Sequence, residues 1–181
     1  AALTLYDMLK PHCEPEDLQM DQCRLLKKKG GKSHFVRQLK RSLKASVIVL
    51  SDTVAAGKKP DTAGQSVMQM LEEANFSEIA YQVIADDPAA LLALIEQQKN
   101  HYPLIVTVGG TGLGPKDLTV ETLQPLLQRE IPGLMEAARS FGQKRTPYAA
   151  LSRGVAGYID TSLVITLPGS RGGASESLTA I

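Results

Sequence analysis

The chain has 181 residues, 43% of them apolar and 22% charged, with 20 lysines and arginines against 19 aspartates and glutamates. That composition belongs to one globular domain with room for a small attachment, and the near-zero net charge argues against a general nucleic-acid binder. No apolar run is long enough to span a bilayer and no signal-peptide pattern opens the chain, so the expectation is a cytoplasmic protein without a membrane partner.

Residues 1–44 differ from the rest. "ALTLYDMLKPH" (2–12) places Leu5, Met8 and Leu9 on one side of a helix that Pro11 ends. "QMDQCRLLKKKGGKSHF" (19–35) reads as a short strand running into a basic glycine loop. Nine basic residues and no acid lie between Arg24 and Lys44. A solvated linker explains this better than a nucleic-acid surface. Cys13 and Cys23, ten apart in polar surroundings, read as free thiols, and no CxxC or HxxxH spacing suggests zinc. The segment has too few apolar residues to build a core of its own.

From residue 45 strands and helices alternate. "ASVIVLS" (45–51) is a continuous β-branched run, as a strand buried on both faces of a parallel sheet requires. "DTAGQSVMQMLEEANF" (61–76) is a helix capped by Asp61 or Thr62, with Val67, Met70, Leu71 and Ala74 as its stripe. "EIAYQVIA" (78–85) is a strand, and "DPAALLALIEQQK" (87–99) is a helix capped by Asp86 or Asp87. "PLIVTVGG" (103–110) is the third strand. "TVETLQPLLQREI" (119–131) and "LMEAARSFG" (134–142) are helical, and a hairpin leads to a last strand, "SLVITL" (162–167). The pattern predicts a three-layer α/β/α domain with a mostly parallel sheet.

In such sheets ligands bind beyond the carboxyl ends of the strands. Four segments follow strands here: Ser51-Asp52, Asp86-Asp87, Gly109–Gly112 and Pro168–Gly173. All four are expected on one edge. "VTVGGTGLGPKDLTVET" (106–122) is neither GxxxxGK[ST] nor GxGxxG. Its glycines make either a plain tight turn or a backbone cradle for an anion. Asp117 either caps the next helix, as Thr119 also could, or joins Asp52 and Asp86 in a carboxylate cluster suited to metal-assisted phosphoryl or nucleotidyl transfer. "LPGSRGG" (167–173) offers Arg171 as an anion clamp, and "LSRG" (151–154) offers a further Ser-Arg pair, each with a bland loop as its alternative.

"VTVGGTGLGPKDLT", "REIPG" (129–133), "ALSRG" (150–154) and "ITLPGS" (165–170), in that order, resemble the MogA/MoaB molybdenum-cofactor family over about residues 45–181. The resemblance implies a molybdopterin adenylyltransferase, with ATP and Mg²⁺ as cofactors, molybdopterin as substrate, a homotrimer or hexamer, and other molybdenum-cofactor enzymes as partners. It implies that Ser51, Gly109, Gly110, Thr111, Gly112, Ser152 and Arg153 hold the pterin and its phosphate. Asp52, Pro168, Gly169 and Ser170 then border the nucleotide, and Asp117 and Asp86 serve catalysis and the metal. Arg171 stands where the family usually has proline, which favours the alternative of a non-catalytic pterin-binding module. The front piece resembles the carboxyl-terminal end of MoaC, the cyclic pyranopterin monophosphate synthase, a ferredoxin-like α+β enzyme. Asp7, Lys10 and Lys28 fall on its catalytic positions. A MoaC–MoaB fusion is therefore expected, divided here into 1–44 and 45–181, with its last helix cut short and the synthase fragment inactive by itself.

Overall fold

The computed structural model describes His12 and residues 43–181. The expected helix at 2–12, apart from His12, the strand and loop at 19–35, and Asp7, Lys10 and Lys28 lie outside the described residues.

β1 (Leu43–Leu50) begins two residues before the expected boundary, because Lys44 extends it and pairs with Glu78 at 2.6 Å. α1 (Asp52–Ala55) and α2 (Ala63–Glu73) lead to β2 (Phe76–Ile84), then α3 (Pro88–Gln98) and β3 (Leu104–Val108). α4 (Thr119–Leu123), β4 (Arg129–Glu130) and α5 (Pro132–Gly142) follow, and the chain closes with β5 (Ala156–Ile159), β6 (Ser162–Leu167) and α6 (Arg171–Ala180).

The six strands form one sheet in the order β2-β1-β3-β6-β5-β4. β1 is parallel to β2 and β3, and β3 to β6, whereas β4, β5 and β6 pair antiparallel. Side-chain alternation along β1 divides the core. Val47 and Val49 join Val67, Leu71, Met135 and Ala174 under α2, α5 and α6. Ile48 and Leu50 join Leu91, Ile95, Ile105 and Leu123 under α3 and α4 on the opposite face. The expected three layers result, and each fully buried Ile or Leu contributes about 1.5–3 kcal/mol by leaving water.

Two expectations are corrected. Residues 119–131 do not form one helix. Pro125 has no N–H to continue the ladder, so α4 passes into a 3₁₀ turn at Gln124–Leu126. Beyond it, Gln128 N–H donates to the Tyr158 carbonyl (2.9 Å) and Ile131 N–H to that of Ala156 (2.7 Å), which draws the segment onto β5 as β4. In α2 the buried stripe is Ala63, Gly64, Val67 and Leu71, while Ala74 is exposed at the carboxyl end. Asp61 supplies the cap, accepting from Ala63 and Gly64 N–H at 3.1 and 2.9 Å.

From β1 the chain passes to β2 on one side and then crosses to β3 on the other. The gap between the carboxyl ends of β1 and β3 is therefore a topological switch point, where open α/β sheets leave a crevice.

Candidate functional site

Beyond β1, Ser51 Oγ caps α1 by accepting from Val54 N–H at 3.4 Å. Asp52 and Asp86 then lock the ends of β1 and β2 together. Asp52 N–H donates to Asp86 Oδ2 and Asp86 N–H to Asp52 Oδ1, each at 3.1 Å. Asp87, not Asp86, caps α3, accepting from Ala89 N–H at 2.9 Å. That division leaves Asp86 lining the cavity.

The glycine loop leaves β3 at Gly109 (φ +115°) and Gly110 (φ +66°), both in the region that L side chains rarely adopt. A side chain at 109 would collide with the Leu50 carbonyl oxygen, and one at 110 with Thr119 Oγ1. Gly109 N–H donates to the Leu167 carbonyl at 2.9 Å, so the ends of β1, β3 and β6 converge there. The loop then folds back. Gly114 N–H donates to Asp117 Oδ2 at 2.8 Å and Thr119 N–H to the Gly110 carbonyl at 3.2 Å. Asp117 therefore holds its own loop; it does not cap α4.

Two cations fasten this loop from outside. Lys116 reaches across to pair with Asp52. The Lys116 ammonium holds the Asp52 carboxyl below its ordinary value, helped by the Asp86 N–H, and Asp52 in turn pushes Lys116 upward. Arg153 donates from Nε to the Gly112 carbonyl (2.7 Å) and from Nη2 to the Asp117 carbonyl (2.8 Å), and pairs with Glu121. Its guanidinium is thus engaged in shaping the loop and lines a separate recess beyond it, while Ser152 faces the main cavity.

That cavity, about 620 Å³, opens over the strand ends. Every described candidate lines it except Asp52, Arg153 and Arg171. Ser170 caps α6, accepting from Gly173 N–H at 3.2 Å, so this helix starts at the cavity. Arg171 is exposed in its first turn and off the wall. Sequence reasoning missed Arg139, Arg145, Tyr148 and Glu176, which line the cavity without belonging to a recognisable motif. Arg139 Nη1 donates to the Ser152 and Gly154 carbonyls, both at 3.3 Å. Leu113, Tyr148 and Leu151, 71%, 75% and 53% exposed, form an apolar rim. Among the described residues no three His, Cys, Asp or Glu gather to hold a metal. Among the described residues, Asp86 and Asp117 each retain a carboxylate oxygen without a donor, which fits Mg²⁺ held by one or two carboxylates and completed by phosphates and water.

A glycine loop, two carboxylates and a helix start gather at the topological switch point of an α/β domain, where such folds bind their ligands. Residues 46–181 match the family described as "Probable molybdopterin binding domain". The chain is 36% identical over 182 residues to the molybdenum cofactor biosynthesis bifunctional protein of Chlorobaculum tepidum, which covers 100% of this chain and 57% of that protein. It is 34% identical over 146 residues to molybdenum cofactor biosynthesis protein B of Staphylococcus aureus, covering 78% and 86%. Among solved structures, the molybdopterin biosynthesis enzyme MoaB of Thermus thermophilus superimposes with a TM-score of 0.71 at 39% identity, over 76% of this chain and 88% of that one. The tungsten cofactor synthesizing protein MoaB of Pyrococcus furiosus gives 0.69 at 31%, over 77% and 89%. The chain belongs to the MogA/MoaB family of molybdenum cofactor biosynthesis. It spans a little over half the length of its bifunctional relative, and no described helix is long and apolar enough to cross a membrane.

Proposed function

We propose that the domain is a molybdopterin adenylyltransferase, transferring AMP from ATP to the terminal phosphate of molybdopterin. The observation that carries this reading is that Asp86, Asp117 and the Gly109–Gly112 cradle line one cavity at the strand ends. A pterin-phosphate oxygen attacks the α-phosphorus of ATP, the α–β bridging bond breaks, and pyrophosphate leaves with the electron pair. The backbone N–H groups of the cradle hold one phosphate, and Ser51 and Ser152 offer hydroxyls to the pterin side. Pro168, Gly169 and Ser170 border the nucleotide, and Asp52 positions Asp86 through their reciprocal bonds. Asp86 and Asp117 would hold Mg²⁺, which neutralises phosphate charge when bound.

The second reading, a pterin-binding module without turnover, is favoured by Arg171 in place of the family's proline. Adenylylation of purified molybdopterin with ATP and Mg²⁺ separates the two. Transfer by the wild type that collapses in Asp117→Asn, with pterin still bound, supports the transferase. Tight pterin binding in both proteins and transfer in neither leaves the binding module.

Residues 1–44 are assigned to the synthase-type half of a bifunctional protein, because similarity to the Chlorobaculum tepidum relative runs through them. Asp7, Lys10 and Lys28 are its catalytic candidates. A homotrimeric or hexameric assembly in the cytoplasm, working beside other molybdenum-cofactor enzymes, completes the proposal.

A further inference from the structure

We infer that Arg145 is the phosphate-binding cation of the cavity, and that Glu176 holds its guanidinium until an anion arrives. The inference rests on reading the cavity as a site for phosphorylated ligands.

Arg145 follows α5, where its N–H donates to the Gly142 carbonyl at 3.0 Å, and Glu176 lies in the second turn of α6. Both line the cavity, and Arg145 Nε pairs with Glu176 Oε1. The Arg145 guanidinium lies against the first turn of α6: a Cβ on Gly172 would stand 3.5 Å from Nη2. That is an ordinary contact distance, so the fork rests directly against the turn that Ser170 caps. Guanidinium donors thus lie beside the N–H groups of a helix start, and both favour an anion.

The neighbouring cations are engaged elsewhere: Arg139 with the Ser152 and Gly154 carbonyls, Lys116 with Asp52, and Arg153 with the glycine loop. Lys59 also lines the cavity, but as an exposed point charge without a fork. The Arg145 and Glu176 side chains are 55% and 24% exposed, so their pair exchanges readily for a stronger partner. Phosphate is such a partner, since it accepts two parallel N–H bonds from one guanidinium. Without Arg145 beside it, the Glu176 carboxylate would repel the same ligand.

Calorimetric titration of the intact chain with inorganic pyrophosphate and with inorganic phosphate, at low salt and without magnesium, tests this. Arg145→Gln should weaken binding about tenfold or more, the scale of one lost charge-assisted bond. Glu176→Gln should tighten it severalfold, and the double variant, which has lost the guanidinium but also the unpaired carboxylate, should bind more weakly than the wild type but more tightly than Arg145→Gln. The opposite sign of the Glu176 arm keeps the test independent of any folding defect at Arg145. A response to pyrophosphate assigns the position to the nucleotide, and a response confined to phosphate assigns it to the pterin's monoester. Wild-type affinity in Arg145→Gln, weaker binding in Glu176→Gln, or a larger loss in Lys59→Met would each overturn the inference. The expected binding pattern without AMP transfer would overturn only the transferase reading. AMP transfer with pyrophosphate affinity unmoved by either variant would overturn only the role of Arg145.

Discussion

A methyl group added at two glycines should act with opposite signs. Gly109 has φ +115°, and a Cβ there would collide with the Leu50 carbonyl oxygen at the end of the neighbouring strand. Backbone strain of this kind costs about 1–3 kcal/mol, and forcing extra volume into packed surroundings costs about 1–3 kcal/mol more. Relief would require β1 and β3 to separate at the buried end of their ladder. Gly109→Ala should therefore destabilise the chain by about 2–6 kcal/mol, a large part of the roughly 5–15 kcal/mol that holds a domain folded. Gly133 lies in the first turn of α5, and a methyl carbon added there would meet nothing within 4 Å. There Ala only restricts the unfolded chain and favours the helix, so Gly133→Ala should stabilise by up to about 1 kcal/mol. Urea unfolding of both variants and the wild type, at unchanged m, measures the two effects. A neutral Gly109→Ala, or shifts of the same sign in both, would refute the close-approach reasoning for the glycine loop.

Loss of the Arg153 guanidinium should loosen the loop that carries Asp117 while leaving the core intact. Arg153→Met should speed amide exchange at Gly114 and Asp117, and Glu121→Gln, which removes only an exposed partner, should change it far less. The Asp52–Lys116 pair carries a defined pH dependence. With Asp52 lowered from 3.8, its contribution is present above that value and is lost as pH falls through the lower folded value. With Lys116 raised from 10.5, its contribution is present below 10.5 and is lost as pH rises through the higher folded value. Carboxyl NMR titration of Lys116→Met should show Asp52 moving back toward 3.8, though not all the way while the Asp86 N–H remains. Thr107 is fully buried at the middle of the sheet, and its hydroxyl has no partner among the described residues. Thr107→Val should be neutral or stabilising by up to about 1 kcal/mol in thermal unfolding, since it replaces an unsatisfied polar group with an apolar one of the same shape.

The central strands were legible because burial on both faces leaves a continuous β-branched run, as in "ASVIVLS" and "SLVITL". The carboxyl-edge cavity followed from what comes after each strand, and Ser51, Asp86, Gly109–Gly112 and Pro168–Ser170 do line one cavity. Local pattern failed where pairing at a distance decides the structure. Arg129–Glu130 becomes a strand only because Tyr158 and Gly157 lie opposite. Asp86 and Asp87 are indistinguishable in sequence, yet one caps a helix and the other reaches Asp52. The arginines mislead most. Arg171 stands in a glycine-rich turn and lies off the cavity wall, while Arg145 belongs to the motif-free "QKRTP" segment and lines it. A guanidinium reaches far from its own backbone, so its sequence neighbours say little about what it touches.

The most direct measurement is a structure of the intact chain with molybdopterin and an unreactive ATP analogue bound together. The expected result places the pterin phosphate on the Gly109–Gly112 cradle, with one of its oxygens about 3–3.5 Å from the α-phosphorus and in line with the leaving pyrophosphate. Asp86 and Asp117 should flank that junction. Nucleotide bound outside the strand-end cavity, or pterin bound with the nucleotide excluded, would contradict adenylyl transfer at this site.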